Sequence, residues 1–202
     1  MTGAANVSNL PIGTSSSPSF QAATVRVWDV PLRICHWALA ASVLVAWFSA
    51  NVYDAVHEAS GYLAMGLVAF RLVWGFAGTP HARFARFVRP PGVVLRYLRD
   101  LALGRAARHL GHNPAGAAMT LLLLALLTIS TISGWMQLTE RFFGVTWVEL
   151  VHAYASNLVL VVAFVHVLGV LLMCALQKEN LVRAMITGRK AVKTDSAGEV
   201  AP

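Results

Sequence analysis

Charge is scarce in this 202-residue chain. Asp, Glu, Lys and Arg together make up 12% of it, about half the share of an ordinary soluble domain. Cysteine is scarcer still: Cys35 and Cys174 are too few for a disulfide framework. The first 24 residues contain no Lys or Arg, which excludes a signal peptide with its basic start. That Ser-, Ala-, Pro- and Gly-rich segment reads as a disordered tail, and residues 190–202 as a second one. Collagen-like and wholly disordered architectures are excluded as well. Apolar residues are abundant, at 57% of the chain, with a mean hydropathy of +0.62.

A bilayer core about 30 Å thick needs roughly 20 apolar residues in a helix. Four segments supply them, at about 34–53, 57–76, 115–138 and 150–176. The first, third and fourth carry no formal charge, and the second holds only Arg71 within its apolar stretch. The expected fold is all-α, a four-helix transmembrane bundle spanning 25–189, with the first span an uncleaved signal anchor.

Net charge is +7 and the pI about 10.1. The basic residues cluster on one side of the predicted topology. Arg26 and Arg33 precede the first span, seven arginines lie between Arg83 and Arg108, and Lys178, Arg183, Arg189, Lys190 and Lys193 follow the fourth. The opposite turns hold Asp54, Glu58, Glu140 and Glu149 against Arg141. This asymmetry predicts that both termini are cytoplasmic, in a bacterial inner membrane. Both cysteines then fall toward the reducing side as free thiols. Orientation and lipid contact account for the arginines, so no nucleic-acid partner is expected. Within the basic loop, Val94, Leu95, Leu98, Leu101 and Ala102 recur at helical spacing, predicting an interfacial amphipathic helix over about 92–108.

Four of the seven histidines fall in the spans: His36, His57, His152 and His166. His81, His109 and His112 lie in the basic loop and read as solvated. An ionisable side chain inside a membrane is a functional candidate because its burial is costly, although any one histidine could simply hydrogen-bond between helices. Depth sorts the four. His57 and His152 start spans that enter from outside, whereas His36 lies near the inner face. His166 follows His152 by fourteen residues, about 21 Å deeper and turned by only about 40°. The histidines therefore pair by level across different helices, His57 with His152 and His36 with His166.

Two opposed imidazoles suit the iron of a flat macrocycle, so two stacked haems are the natural reading. Zinc would want about four ligands at one point, often with Cys or carboxylate. A proton relay leaves the paired depths unexplained. The chain has no C-x-x-C-H motif, so covalent haem attachment through it is excluded.

Arg71 follows His57 by the same fourteen residues, which puts its charge at the inner level and makes a haem propionate its expected partner, with Arg33 as a second candidate. Snorkelling to headgroups is the alternative. Gly61 and Gly169 lie close to His57 and His166 and leave room for a porphyrin, though glycine is also ordinary at helix contacts. Thr128, Ser130, Thr131 and Ser133 read only as interhelical hydrogen-bonding groups. The tryptophans near span ends read as an aromatic belt.

V-W-D-V-P-L-R-I-C-H-W (Val27 to Trp37) is similar to the opening of bacterial di-haem cytochromes b. H-E-A-S-G-Y, F-R-L-V-W-G-F-A-G-T, A-R-F-A-R-F, G-H-N-P-A-G, E-L-V-H and H-V-L-G follow in order. Over 25–189 the chain resembles the bacterial cytochrome b-561 group and the cytochrome b subunits of nickel-iron hydrogenases. The resemblance implies two non-covalent b haems on His36, His57, His152 and His166, and electron transfer with quinones or redox proteins.

Some members are proposed to oxidise superoxide at the outer face, where positive charge would concentrate it. The acidic outer turns here favour a neutral quinol or a basic redox protein instead. The expected function is transmembrane electron transfer between a quinone pool and a redox partner, with enzyme activity only if the chain itself oxidises quinol. An anchor subunit of a larger oxidoreductase such as a hydrogenase is the first alternative. A haem-free transporter or scaffold is the second.

Overall fold

The computed structural model describes residues 23–80, 82–105 and 113–192. His81, His109, His112, Arg108 and most of the two terminal segments lie outside them. The described chain opens with a short strand, β1 (Ala23–Arg26). Asp29 then caps α1 (Val30–Ser49): its Oδ1 accepts from the Leu32 N–H at 2.8 Å, and Pro31 sits in the first turn, where its missing donor costs no helical bond. After a short turn comes α2 (Asp54–Ala77), whose acidic first residue faces the free N–H groups of the helix start. Two short helices, α3 (Phe84–Phe87) and α4 (Pro91–Ala102), follow.

The second half repeats the up-and-down course. Asn113 caps α5 (Pro114–Gln137) by accepting from the Gly116 N–H at 2.6 Å. The long α6 (Thr146–Gln177) stops where Lys178 turns left-handed, at φ 51°. α7 (Leu181–Thr187), capped by Asn180, ends at Gly188 with φ 79°, a conformation that glycine adopts without strain. β2 (Arg189–Val192) then pairs antiparallel with β1, Ala23 opposite Val192.

Several boundaries differ from those expected of the sequence. α1 begins at Val30 rather than 34, because Asp29 and Pro31 start it before the uninterrupted apolar run, and Val52 and Tyr53 lie in the following turn. The amphipathic helix stops at Ala102 rather than reaching 108, with Gly104 in the left-handed region. The segments expected as tails, 1–24 and 190–202, each overlap a described strand. Ala23, Thr24 and Lys190–Val192 belong to the β-ladder, which satisfies their backbone groups through a partner more than 160 residues away.

Four helices, α1, α2, α5 and α6, are long and apolar enough to cross a membrane. α1 packs on α2, α5 on α6, and α2 on α5 joins the two hairpins. Their shared core is Val68, Leu126, Leu127, Val159 and Val162, with Leu39 and Val43 of α1 packed against it. The outward surface is just as apolar. Phe48 and Phe76 are 77% and 76% exposed, which water would penalise and lipid accommodates.

A collar closes the end that carries both described termini. Val27 and Trp28 donate their N–H groups to Gly188 O, and Val27, Trp28, Leu32 and Ala82 form a second small core with Trp74 and Met185 against it. Asp29 Oδ2 accepts from the Trp74 indole N–H at 3.1 Å and from the Thr79 hydroxyl. One carboxylate thus starts α1 and also holds the end of α2.

Candidate functional site

The fold brings the four intramembrane histidines together two by two. His57, in the first turn of α2, meets His152 of α6 with ring centres 6.1 Å apart. His36 of α1 meets His166 of α6 at 6.4 Å. All four rings are half-buried. Each pair joins two helices, and the long α6 supplies one member of each.

These separations carry chemical information. Two imidazole nitrogens about 2 Å from one metal, on opposite sides of it, set their ring centres roughly 6 to 6.5 Å apart. Among the described residues no three His, Cys, Asp or Glu side chains converge on a metal-ion site. Paired donors and no third ligand suit a metal whose other positions are filled by a flat macrocycle. A methyl group added at Gly61 or Gly169 would meet no protein atom within 4 Å, so neither obstructs such a ring.

Hydrogen bonds set the tautomer at one level. His57 Nδ1 lies 2.8 Å from Ala46 O of α1, and His152 Nδ1 lies 2.8 Å from Ser130 O of α5. A carbonyl has no hydrogen to give, so each Nδ1 is the donor and each Nε2 keeps its lone pair for a metal. His36 and His166 make no hydrogen bond among the described residues. Trp37 stands edge-on to His36 at 5.3 Å.

Arg71 is buried, with 6% of its surface exposed. Its Nη2 donates to Ala82 O at 3.3 Å, its guanidinium lies over the Phe84 ring at 4.8 Å, and its Nη1 has no partner. It also lies within electrostatic reach of Asp29 and of Cys35, the neighbour of His36. A buried cation with an unused donor suits an anionic group. Arg33 is otherwise engaged: its Nη2 donates to Ile186 O and ties α1 to α7, while its buried Nε has no partner.

A model of the prokaryotic cytochrome b561 family matches residues 27–188. The chain belongs to that family. It is also similar to two curated proteins, each described as a probable Ni/Fe-hydrogenase B-type cytochrome subunit. One, from Rhodobacter capsulatus, is 24% identical, with 85% of this chain and 83% of that protein covered. The other, from Bradyrhizobium diazoefficiens, is 23% identical, with 83% and 86% covered. This member of the cytochrome b561 family is therefore a membrane cytochrome b of electron transport, and the family implies haem b.

Three features of this cytochrome's site had no side-chain signature in the sequence. The acceptors Ala46 O and Ser130 O are backbone atoms, which any residue carries. Gly134 stands against the His152 ring, where an added methyl would lie 2.8 Å from Cε1. The spacing of Ser130 and Gly134, one helical turn apart on α5, was its only trace.

Proposed function

We propose that the chain binds two non-covalent b haems, one between His36 and His166 and the other between His57 and His152. On this reading it moves electrons across the membrane between a quinone pool and a redox protein. The observation that carries it is the pairing of four histidines at 6.1 and 6.4 Å on two levels. Haem b, when bound, supplies one-electron redox chemistry at each level, and the chain's own residues do the rest. The imidazoles of His57 and His152 present Nε2 because Nδ1 is held by a carbonyl. Arg71 holds a propionate with its unused Nη1, and Arg33 Nε is a second donor at that end. The apolar core of Val68, Leu127 and Val159 excludes water between the helices.

Orientation and partners extend the proposal. The basic residues at the collar end and the acids Asp54, Glu58, Glu140 and Glu149 at the other support cytoplasmic termini and a bacterial inner membrane. The exposed acidic end suits a basic redox protein or a neutral quinol. A second reading, a cytochrome b anchor subunit of a larger oxidoreductase, is favoured by the two hydrogenase-type relatives. Co-purification of a soluble hydrogenase or dehydrogenase with the tagged chain separates the two readings.

The primary test is a pyridine haemochrome assay on detergent-purified protein expressed with adequate haem supply. Two b haems per chain are expected. One haem means that one pair is not a haem site, and none removes the cytochrome reading of the histidines.

A further inference from the structure

The two histidine pairs differ in what stands behind them. His57 and His152 both donate Nδ1–H to backbone carbonyls at 2.8 Å, whereas His36 and His166 have no such partner among the described residues. Each tether has an identifiable cause. Ala46 O lies in the last turn of α1, and the Ala50 N–H that would have bonded to it turns instead to Trp47 O at 3.5 Å. That carbonyl is one of the acceptors a helix end leaves without its backbone donor, and besides His57 it receives only a longer bond from the Ser49 hydroxyl, at 3.3 Å, among the described residues.

Ser130 O is different, because it lies in the interior of α5. A side chain from another helix normally cannot approach such a carbonyl, since the residue one turn later covers it. Here that residue is Gly134. An added Cβ would sit 2.8 Å from His152 Cε1 and 3.1 Å from Nδ1, inside the distance at which carbon atoms repel. The missing methyl is what admits the imidazole edge to the carbonyl. Ser130 Oγ and Ser156 Oγ, 2.8 Å apart, hold α5 and α6 in register at this point.

We propose that Gly134 is a positioning residue that tethers His152 to Ser130 O, and that this tether, with that of His57 to Ala46 O, makes the His57/His152 haem site the lower in potential of the two. The proposal rests on the di-haem reading above. The physical basis is electron donation. An imidazole that donates Nδ1–H to a carbonyl becomes a more basic ligand through Nε2, which favours the ferric state. At the other level no described residue gives the histidines this support, and the Arg71 cation favours the ferrous state.

The test is an equilibrium redox titration of the purified holoprotein, followed optically and by electron paramagnetic resonance. His36→Ala and His152→Ala, each leaving one level intact, assign the two waves. The site left in His36→Ala is expected to titrate below the site left in His152→Ala. Gly134→Ala is expected to raise the lower wave, to change its ferric resonance and to leave the upper wave in place. Gly92→Ala, whose methyl would meet nothing within 4 Å, should move neither.

A reversed order overturns the proposal, as does an unmoved lower wave in Gly134→Ala with both haems bound. Should Gly134→Ala fail to retain its haem, the order of the two assigned waves decides alone. A haemochrome count below two in the unaltered chain overturns the di-haem reading itself. A count of two with the order reversed overturns only the inference drawn from the tethers.

Discussion

The indole N–H of Trp74 donates to Asp29 Oδ2 at 3.1 Å and so ties the end of α2 to the start of α1. The same carboxylate accepts from the Leu32 N–H through its other oxygen and from the Thr79 hydroxyl. The W-D of the opening motif and the W-G-F-A-G-T that ends α2 are thus two halves of one joint. It stands at the base of the helix that carries His36, so its rigidity bears on how precisely that ligand is held.

Asp29→Ala removes a helix cap and leaves two donors without an acceptor. The cap alone contributes about 0.5–2 kcal/mol. Loss of the Trp74 and Thr79 bonds should raise the total above that of Thr79→Val, which removes one donor and keeps the cap. Thermal unfolding in detergent, followed by tryptophan fluorescence, ranks the two variants, and equal midpoints would contradict the joint.

Asp29 also gives the collar an acid limit. Burial raises its pKa, but hydrogen bonds from Thr79, Leu32 and Trp74 and the charge of Arg71 outweigh it, leaving the carboxyl below its ordinary 3.8. A depressed carboxylate contributes stability that is full above the unfolded value and is lost as pH falls through the folded one. The stability gap between the wild type and Asp29→Asn should therefore hold steady from about pH 6 down to about pH 4 and narrow below that. A gap that widens toward acid would reverse the sign of the argument.

Gly75 lies against the Phe84 ring so closely that a methyl group there would overlap it. Gly75→Ala should displace Phe84 from its place under Arg71, at about 1–3 kcal/mol. Gly66, on the same helix, meets nothing within 4 Å, and Gly66→Ala should be neutral or slightly stabilising. Unfolding midpoints of the two variants side by side check this, because both add one methyl to α2.

Helix and histidine positions were legible in the sequence because the physics that sets them is one-dimensional. Hydropathy marks the spans, and a rise of about 1.5 Å per residue converts the positions of His36, His57, His152 and His166 into two levels. The collar was not legible. The strands Ala23–Arg26 and Arg189–Val192 are four residues each, and only a partner far along the chain makes either of them a strand. Nor were the tethers of His57 and His152, since their acceptors are peptide carbonyls. Nor was the bond from Arg33 Nη2 to Ile186 O, a contact that only the packing of α7 creates and that leaves Nε as the donor still open to an anion.

If the histidines act in pairs, their removal should be grossly non-additive. His57→Ala or His152→Ala should each lower the haem count from about two to about one, and the double variant should lose no more. His57→Ala combined with His166→Ala should lose both. Haemochrome titration of the purified variants reads this directly, and a double variant at one level that falls to zero would show that the levels are not independent.

Arg71→Gln and Arg71→Lys together separate a propionate-binding role from a merely structural one. A cation near a haem favours the reduced state, so its loss should lower the midpoint potential of the His36/His166 site. Arg71→Lys keeps the charge but not the forked donor, so it should preserve most of the potential while weakening haem retention. If Arg71 only braces Ala82 and Phe84, Arg71→Lys should shift the unfolding midpoint and leave haem retention where it was.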